Sequence, residues 1–287
     1  MTTAPDSPTP TPSAYTSAGG WRSTWWSVIR FGLCVMLIGS ALSLSVIPWS
    51  DLSWWRIFRR CVSIAAAISL WLCVRTFEKR SIRSYGFSAS KIGKHQLALG
   101  LLIGLGALGV MFGVGLAVGV YRFEVTPDRV RLWRIVLSFL PAAGLISVLE
   151  ELVFRGFILQ HLMMASRILA VLTSSILYAV VHLKHPTVTL ATSLELGGLF
   201  LLGVVLALSY LQTGQLYFAV GLHAAFAYGA RVNKLLIQFP DPSLLWLVGT
   251  SRLINSLLSW IVLLGIGGIV MWLAQPSHEG GVRHEET

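Results

Sequence analysis

An all-α, polytopic bundle of about eight transmembrane helices is the fold this sequence predicts, and three observations predict it. Mean hydropathy is +0.72, with 55% of residues hydrophobic and only 12% charged, a composition too apolar for a soluble globular chain of this size. Apolar runs recur at lengths of about 20 residues, the length a hydrocarbon slab demands of a helix. Trp25, Trp26, Trp49, Trp54, Trp55 and Trp133 cluster at the ends of those runs, as interfacial aromatic belts do.

Residues 1–24 are rich in Pro, Thr and Ser and read as a disordered polar tail, without the basic lead-in and cleavage site of a signal peptide. The transmembrane domain then covers residues 25–274. Its spans are expected at Trp25–Pro48, Cys61–Arg75, Leu97–Tyr121, Leu132–Met164, Ile168–Leu183, Thr189–Leu211, Leu216–Ile237 and Leu244–Ala274. Stop signals separate them, among them Pro48-Trp49-Ser50-Asp51, Thr126-Pro127-Asp128, His185-Pro186, Thr213-Gly214 and Pro240-Asp241-Pro242. Residues 275–287 form a polar C-terminal tail. The third span carries Gly100, Gly104, Gly109, Gly113, Gly115 and Gly119, several of them four apart, the spacing that lets helices approach closely in lipid.

The net charge of +10 and the pI near 10.0 would suggest nucleic acid for a soluble chain. Here the basic residues stand mostly between apolar runs, where they set topology and meet lipid headgroups, so no nucleic-acid partner is implied. Arg75, Lys79, Arg80, Arg83, Lys91 and Lys94 argue that the second loop is cytoplasmic, with both termini on the same side; Arg56, Arg59, Arg60, Arg122, Arg129, Arg131 and Arg134 fall on the other. Cys34, Cys61 and Cys73 have no CxxC or Cys/His ligand spacing and imply neither a disulfide framework nor a zinc knot.

Glu150-Glu151-Leu152-Val153-Phe154-Arg155 places three ionisable side chains within six positions of an otherwise apolar span. Each charge near the centre of a membrane helix costs roughly 2.5–3.5 kcal/mol, so the cluster calls for a role. At 100° per residue Glu151 and Arg155 share one helix face and Glu150 is turned away from it. One carboxylate is thereby braced by the arginine, and the other is left available as a general base or acid. His182, one turn after Tyr178, and His223 each interrupt another apolar run. Glu150, His182 and His223 come from three helices, which is how bundles build internal sites. Such a set serves either to activate water and hold an oxyanion or to ligate a catalytic zinc with an open position, and the spacing alone leaves both open. Glu195 reads as a packing or interfacial acid, His161 as interfacial and His185 as a loop residue. HExxH and Gly-x-Ser-x-Gly are absent.

In this order, Glu150-Glu151-x-x-x-Arg155, Tyr178-x-x-x-His182 and Thr213-Gly214-x-Leu216 leading to His223 resemble the CPBP family, the CAAX-protease and bacteriocin-processing group also called the ABI domain. The resemblance covers about residues 132–230. It implies an intramembrane endopeptidase of glutamate type, without cofactor, in which Glu150 and His182 activate water, His223 stabilises the oxyanion, and Glu151 and Arg155 hold the geometry. It also implies a peptide or membrane-anchored protein as substrate and a multi-pass protein of a prokaryotic plasma membrane, surrounded by membrane lipids. Two positions depart from the family pattern: Tyr178 replaces the usual Phe, and Ala227 stands where an oxyanion-site Asn is expected four residues after His223. Losing one oxyanion donor costs on the order of 10²–10³ in rate unless another group replaces it; Tyr228 or a backbone amide is the substitute the sequence offers. The remaining readings are zinc-dependent proteolysis by Glu150, His182 and His223, and a non-catalytic scaffold or immunity-type protein whose buried charges only fix packing.

Overall fold

Asp128 opens the helix that carries the charged cluster: its carboxylate accepts from the Arg131 amide at 2.8 Å, so the turn signal Thr126-Pro127-Asp128 becomes an N-cap. The computed structural model describes residues 20–87, 91–182 and 189–273. Among them the main helices are α1 (Gly20–Val46), α2 (Trp54–Cys73), α3 (Lys91–Ala117), α4 (Arg129–Glu151), α5 (Arg167–Val181), α6 (Leu190–Thr213), α7 (Tyr217–Val232) and α8 (Leu257–Leu273). Beyond Glu151, α4 continues through a π-helical segment, Leu152–Leu159, into a last α-turn, Gln160–Met163. A two-residue antiparallel pairing, Arg122 with Gln238 and Phe123 with Ile237, ties the α3–α4 connection to the chain after α7.

These helices form an all-α membrane bundle. Among the described residues, five segments are long and apolar enough to cross a bilayer: Trp25–Trp49, Trp54–Glu78, Lys91–Ala117, Arg129–Met163 and Leu190–Thr213. Arg167–Val181 and Leu257–Leu273 are shorter apolar helices. Leu102, Leu145, Ile168 and Leu264 are exposed, which suits a surface solvated by acyl chains.

Several boundaries move for physical reasons. α1 begins at Gly20, inside the stretch expected as tail; the rest of that tail, His185 and the C-terminal tail lie outside the described residues. α2 begins at Trp54 rather than Cys61, because Arg56, Arg59 and Arg60 lower hydropathy without disfavouring a helix. The last apolar run is broken: after the turn Leu245–Val248 the chain passes through left-handed Gly249 (φ 94°) and Leu253 (φ 59°) before α8.

α3 packs along α7, α1 against α2, α5 against α6, α6 against α8, and α4 against α7. The α3–α7 crossing depends on glycine from both sides. A Cβ on Gly100 would run into the Phe218 carbonyl oxygen, and one on Gly221 into that of Leu97. Gly104 faces Ala225 and Gly115 faces Tyr121, whereas Gly109 and Gly113 face open space, so only part of the glycine pattern is used in packing. Gly100→Ala is therefore expected to cost about 1–3 kcal/mol, while Gly109→Ala is neutral or slightly stabilising through helix propensity. Thermal unfolding of both variants in detergent checks the contrast, and equal midpoints would refute it.

Candidate active site

Glu150 and Glu151 are the last residues of α4 proper, one step of 100° apart, and they meet different surroundings. The Glu151 side chain is 0% exposed and the Glu150 side chain 20%. The π-helical turn that follows buries every residue from Val153 to Leu159, including Arg155, which is also 0% exposed. π-turns of this kind widen a helix locally and recur at functional sites.

Arg155 Nη1 donates to Glu151 Oε1 at 2.8 Å, the i,i+4 pair expected from the sequence, and Nη2 donates to the Gly203 carbonyl at 3.1 Å. Gly203 makes that second bond available: α5 and α6 come so close there that a Cβ would stand 2.9 Å from Ser175 Cβ. The guanidinium also lies 4.6 Å from the centroid of the Tyr178 ring, which Phe154 meets edge-on at 5.3 Å.

His182 caps the C-terminus of α5. Its Nδ1 donates to the Tyr178 carbonyl at 2.7 Å, because a carbonyl oxygen only accepts, and its Nε2 stands 3.3 Å from Glu150 Oε2. His223, in the second turn of α7, directs Nδ1 to Glu151 Oε1 at 2.8 Å and Nε2 towards Glu150 Oε2 at 3.6 Å. The Tyr178 hydroxyl lies 3.3 Å from the same Nε2. Glu150 Oε2 is shielded from solvent yet has no hydrogen bond of good geometry, only these two imidazole nitrogens.

The structure thus gathers Glu150, Glu151, Arg155, Tyr178, His182 and His223 from α4, its π-turn, α5 and α7. Tyr228 is not in that group: its hydroxyl donates to the Val136 carbonyl at 3.1 Å. The hydroxyl beside His223 belongs to Tyr178 instead. Sequence reasoning treated the Glu151–Arg155 pair as a brace for Glu150 and missed the bond from Glu151 to His223, which spans 72 positions and leaves no local signal. Glu195 pairs with Arg252, and His161 bonds Glu78 and the Phe157 carbonyl, so both have structural partners outside this group.

Among the described residues, no group of three or more His, Cys, Asp or Glu side chains is gathered so as to hold a metal ion. The convergence of acidic and imidazole groups on a membrane-buried point is the arrangement from which general acid–base and oxyanion chemistry are built.

Residues 132–229 match the family model described as Type II CAAX prenyl endopeptidase Rce1-like. No curated protein matches the chain. The matched segment runs from α4 into α7 and contains every residue of the cluster. Over this segment the chain is similar to the CAAX-protease (CPBP) family, and its long apolar helices make it an integral membrane protein.

Proposed function

We propose that this protein is a glutamate-type intramembrane endopeptidase that hydrolyses a peptide bond of a membrane-anchored protein or peptide. The observation that carries the reading is the approach of Glu150 Oε2 to His182 Nε2 and His223 Nε2, at 3.3 and 3.6 Å. Neutral His182 keeps its proton on Nδ1, so Nε2 is a bare acceptor next to a carboxylate. A water molecule has two hydrogens to give, one to each of these acceptors, which leaves an oxygen lone pair free to attack a carbonyl carbon. As the C–O bond forms, Glu150 takes the water proton, and it returns that proton to the amine as the C–N bond breaks.

Oxyanion stabilisation in this reading requires a proton on His223 Nε2. Glu151 accepts from His223 Nδ1, and Nε2–H then faces the reacting centre. The Tyr178 hydroxyl, 3.3 Å from that nitrogen, turns its own O–H to the same point. Two donors then serve the developing oxyanion, with the phenol taking over from the amide that Ala227 lacks. Tyr178→Phe is expected to slow cleavage by about 10²–10³-fold without unfolding the protein, and adding Ala227→Asn is expected to recover much of that loss. A Tyr178→Phe protein that cleaves at the parental rate would remove the phenol from the mechanism.

Zinc held by Glu150, His182 and His223 is the competing assignment for the same residues. No step above uses a metal ion. Metal analysis of the purified protein is expected to find well under one zinc per chain, with cleavage that survives chelation. Stoichiometric zinc together with chelator-sensitive cleavage would turn the three residues into ligands.

The substrate is to be sought by comparing membrane proteomes of cells carrying the parental protein and Glu150→Gln. The proposal expects at least one membrane-anchored protein that is shortened only in the former, and identical terminal peptides in both would count against it.

A further inference from the structure

Where the second span ends, the helix loosens: α2 passes into a π-turn, Val74–Glu78, Lys79 turns left-handed (φ 53°), and a 3₁₀ turn, Ile82–Tyr85, follows under a Ser81 cap. This path brings Arg75, Lys79, Arg80 and Arg83 around an open pocket of about 660 Å³. Below them the wall is apolar, formed by Val74, Ile82 and the exposed Trp71. Among the described residues none of the four cations is in an ion pair. The neighbouring carboxylate, Glu78, is occupied by His161 Nε2 at 3.2 Å and Ser27 Oγ at 3.4 Å. Arg80 lies over the Tyr85 ring at 4.9 Å, which leaves Arg75, Lys79 and Arg83 as the freest charges.

Four like charges around a concavity repel one another unless an anion sits between them. The pocket also stands at the end of the span Trp54–Glu78, the depth at which headgroups meet acyl chains. A soluble anion would use the rim and leave Trp71, Val74 and Ile82 in contact with nothing; a purely apolar ligand would leave the charges uncompensated. We propose that this pocket binds an anionic phospholipid, the phosphate among Arg75, Lys79 and Arg83 and the glycerol and upper acyl region against Trp71, Val74 and Ile82. The site lies outside the Glu150 cluster and does not depend on the proposed peptidase mechanism. Its loop is nevertheless docked on the catalytic helix, because Gln160 Nε2 donates to the Tyr85 carbonyl at 3.0 Å.

The test uses the full-length protein in detergent, with phosphatidylglycerol binding read by native mass spectrometry. Arg75→Gln/Lys79→Gln/Arg83→Gln is compared with a control that loses the same charge elsewhere, Arg129→Gln/Arg131→Gln/Arg134→Gln. The pocket variant is expected to bind phosphatidylglycerol on the order of a hundred-fold more weakly, at roughly five-fold per charge, and the control to stay within a few-fold of the parent. Equal binding by the pocket variant, or an equal loss in the control, overturns the proposal. Inorganic phosphate bound as tightly as the lipid also overturns it, by assigning the pocket to a soluble anion. Should the pocket variant fail to fold, a photoactivatable phosphatidylglycerol on the parental protein decides: labels within residues 71–83 support the site, and labels found only outside them refute it.

Discussion

Glu150→Gln is expected to lower the rate of peptide cleavage by up to about 10⁴-fold, the upper range for loss of a general base, while the protein keeps its fold. The substitution preserves volume and replaces a carboxylate oxygen with an amide. That amide can donate to His182 Nε2, 3.3 Å from the present Oε2, so the variant gains a hydrogen bond as it loses its base. Glu150 is also the more exposed of the two acids and makes no bond to Arg155. The unfolding midpoint should therefore move little, and the effect should fall on kcat, measured with purified protein reconstituted in liposomes. His182→Ala is expected to fall to a similar floor, and the double variant to go no lower, because the two groups act on one water. A Glu150→Gln protein of parental rate would sink the mechanism. A non-catalytic scaffold makes the opposite forecast, since its phenotype would survive Glu150→Gln in a stably expressed protein.

The site was legible in the sequence wherever its geometry is local. Glu151 and Arg155 four positions apart, and Glu150 turned off their face, follow from helix periodicity, and the structure has that division. What lay beyond reach is long-range. Nothing in the chain near His223 indicates that its Nδ1 meets Glu151 rather than Glu150, or that its ring partner is Tyr178 from α5. Ala227 drew attention to a missing donor, and Tyr228 was nearest in sequence, but helix α7 turns Tyr228 towards Val136. The hydroxyl that takes the place beside His223 sits in another motif, at the very position that departs from the family pattern.

The same limit applies to the fold. Glycine spacing in α3 showed a capacity for close approach, and the structure uses it at Gly100 and Gly104 against α7 while leaving Gly109 and Gly113 open. Leu152–Leu159, apolar apart from Arg155, is a stretch that periodicity cannot tell from an α-helix, and its π-turn becomes visible only in the backbone. Residues 249–256 break the last span: Thr250, Ser251, Arg252, Asn255 and Ser256 interrupt the apolar run, and the backbone turns at Gly249 and Leu253 end the helix there.

Arg155→Met is expected to be the most destabilising single change at the site, by about 3–5 kcal/mol, because it removes one partner of a fully buried ion pair and leaves the Glu151 carboxylate with the His223 imidazole but no guanidinium beside it. The guanidinium also holds the Gly203 carbonyl on α6 and lies under the Tyr178 ring, so its loss loosens α4, α5 and α6 together. Adding Glu151→Gln removes that charge and is expected to restore a large part of the stability, since a neutral pair of similar volume is often no worse than a buried salt bridge. Activity should not follow: without the Glu151 carboxylate, His223 loses the acceptor that fixes its Nδ1 proton. The pair of variants therefore separates two roles of one side chain, with thermal unfolding in detergent reading the first and reconstituted cleavage the second. A double variant as unstable as Arg155→Met would show that packing rather than charge governs the loss, and a stable double variant that still cleaves would dissociate Glu151 from His223 in catalysis.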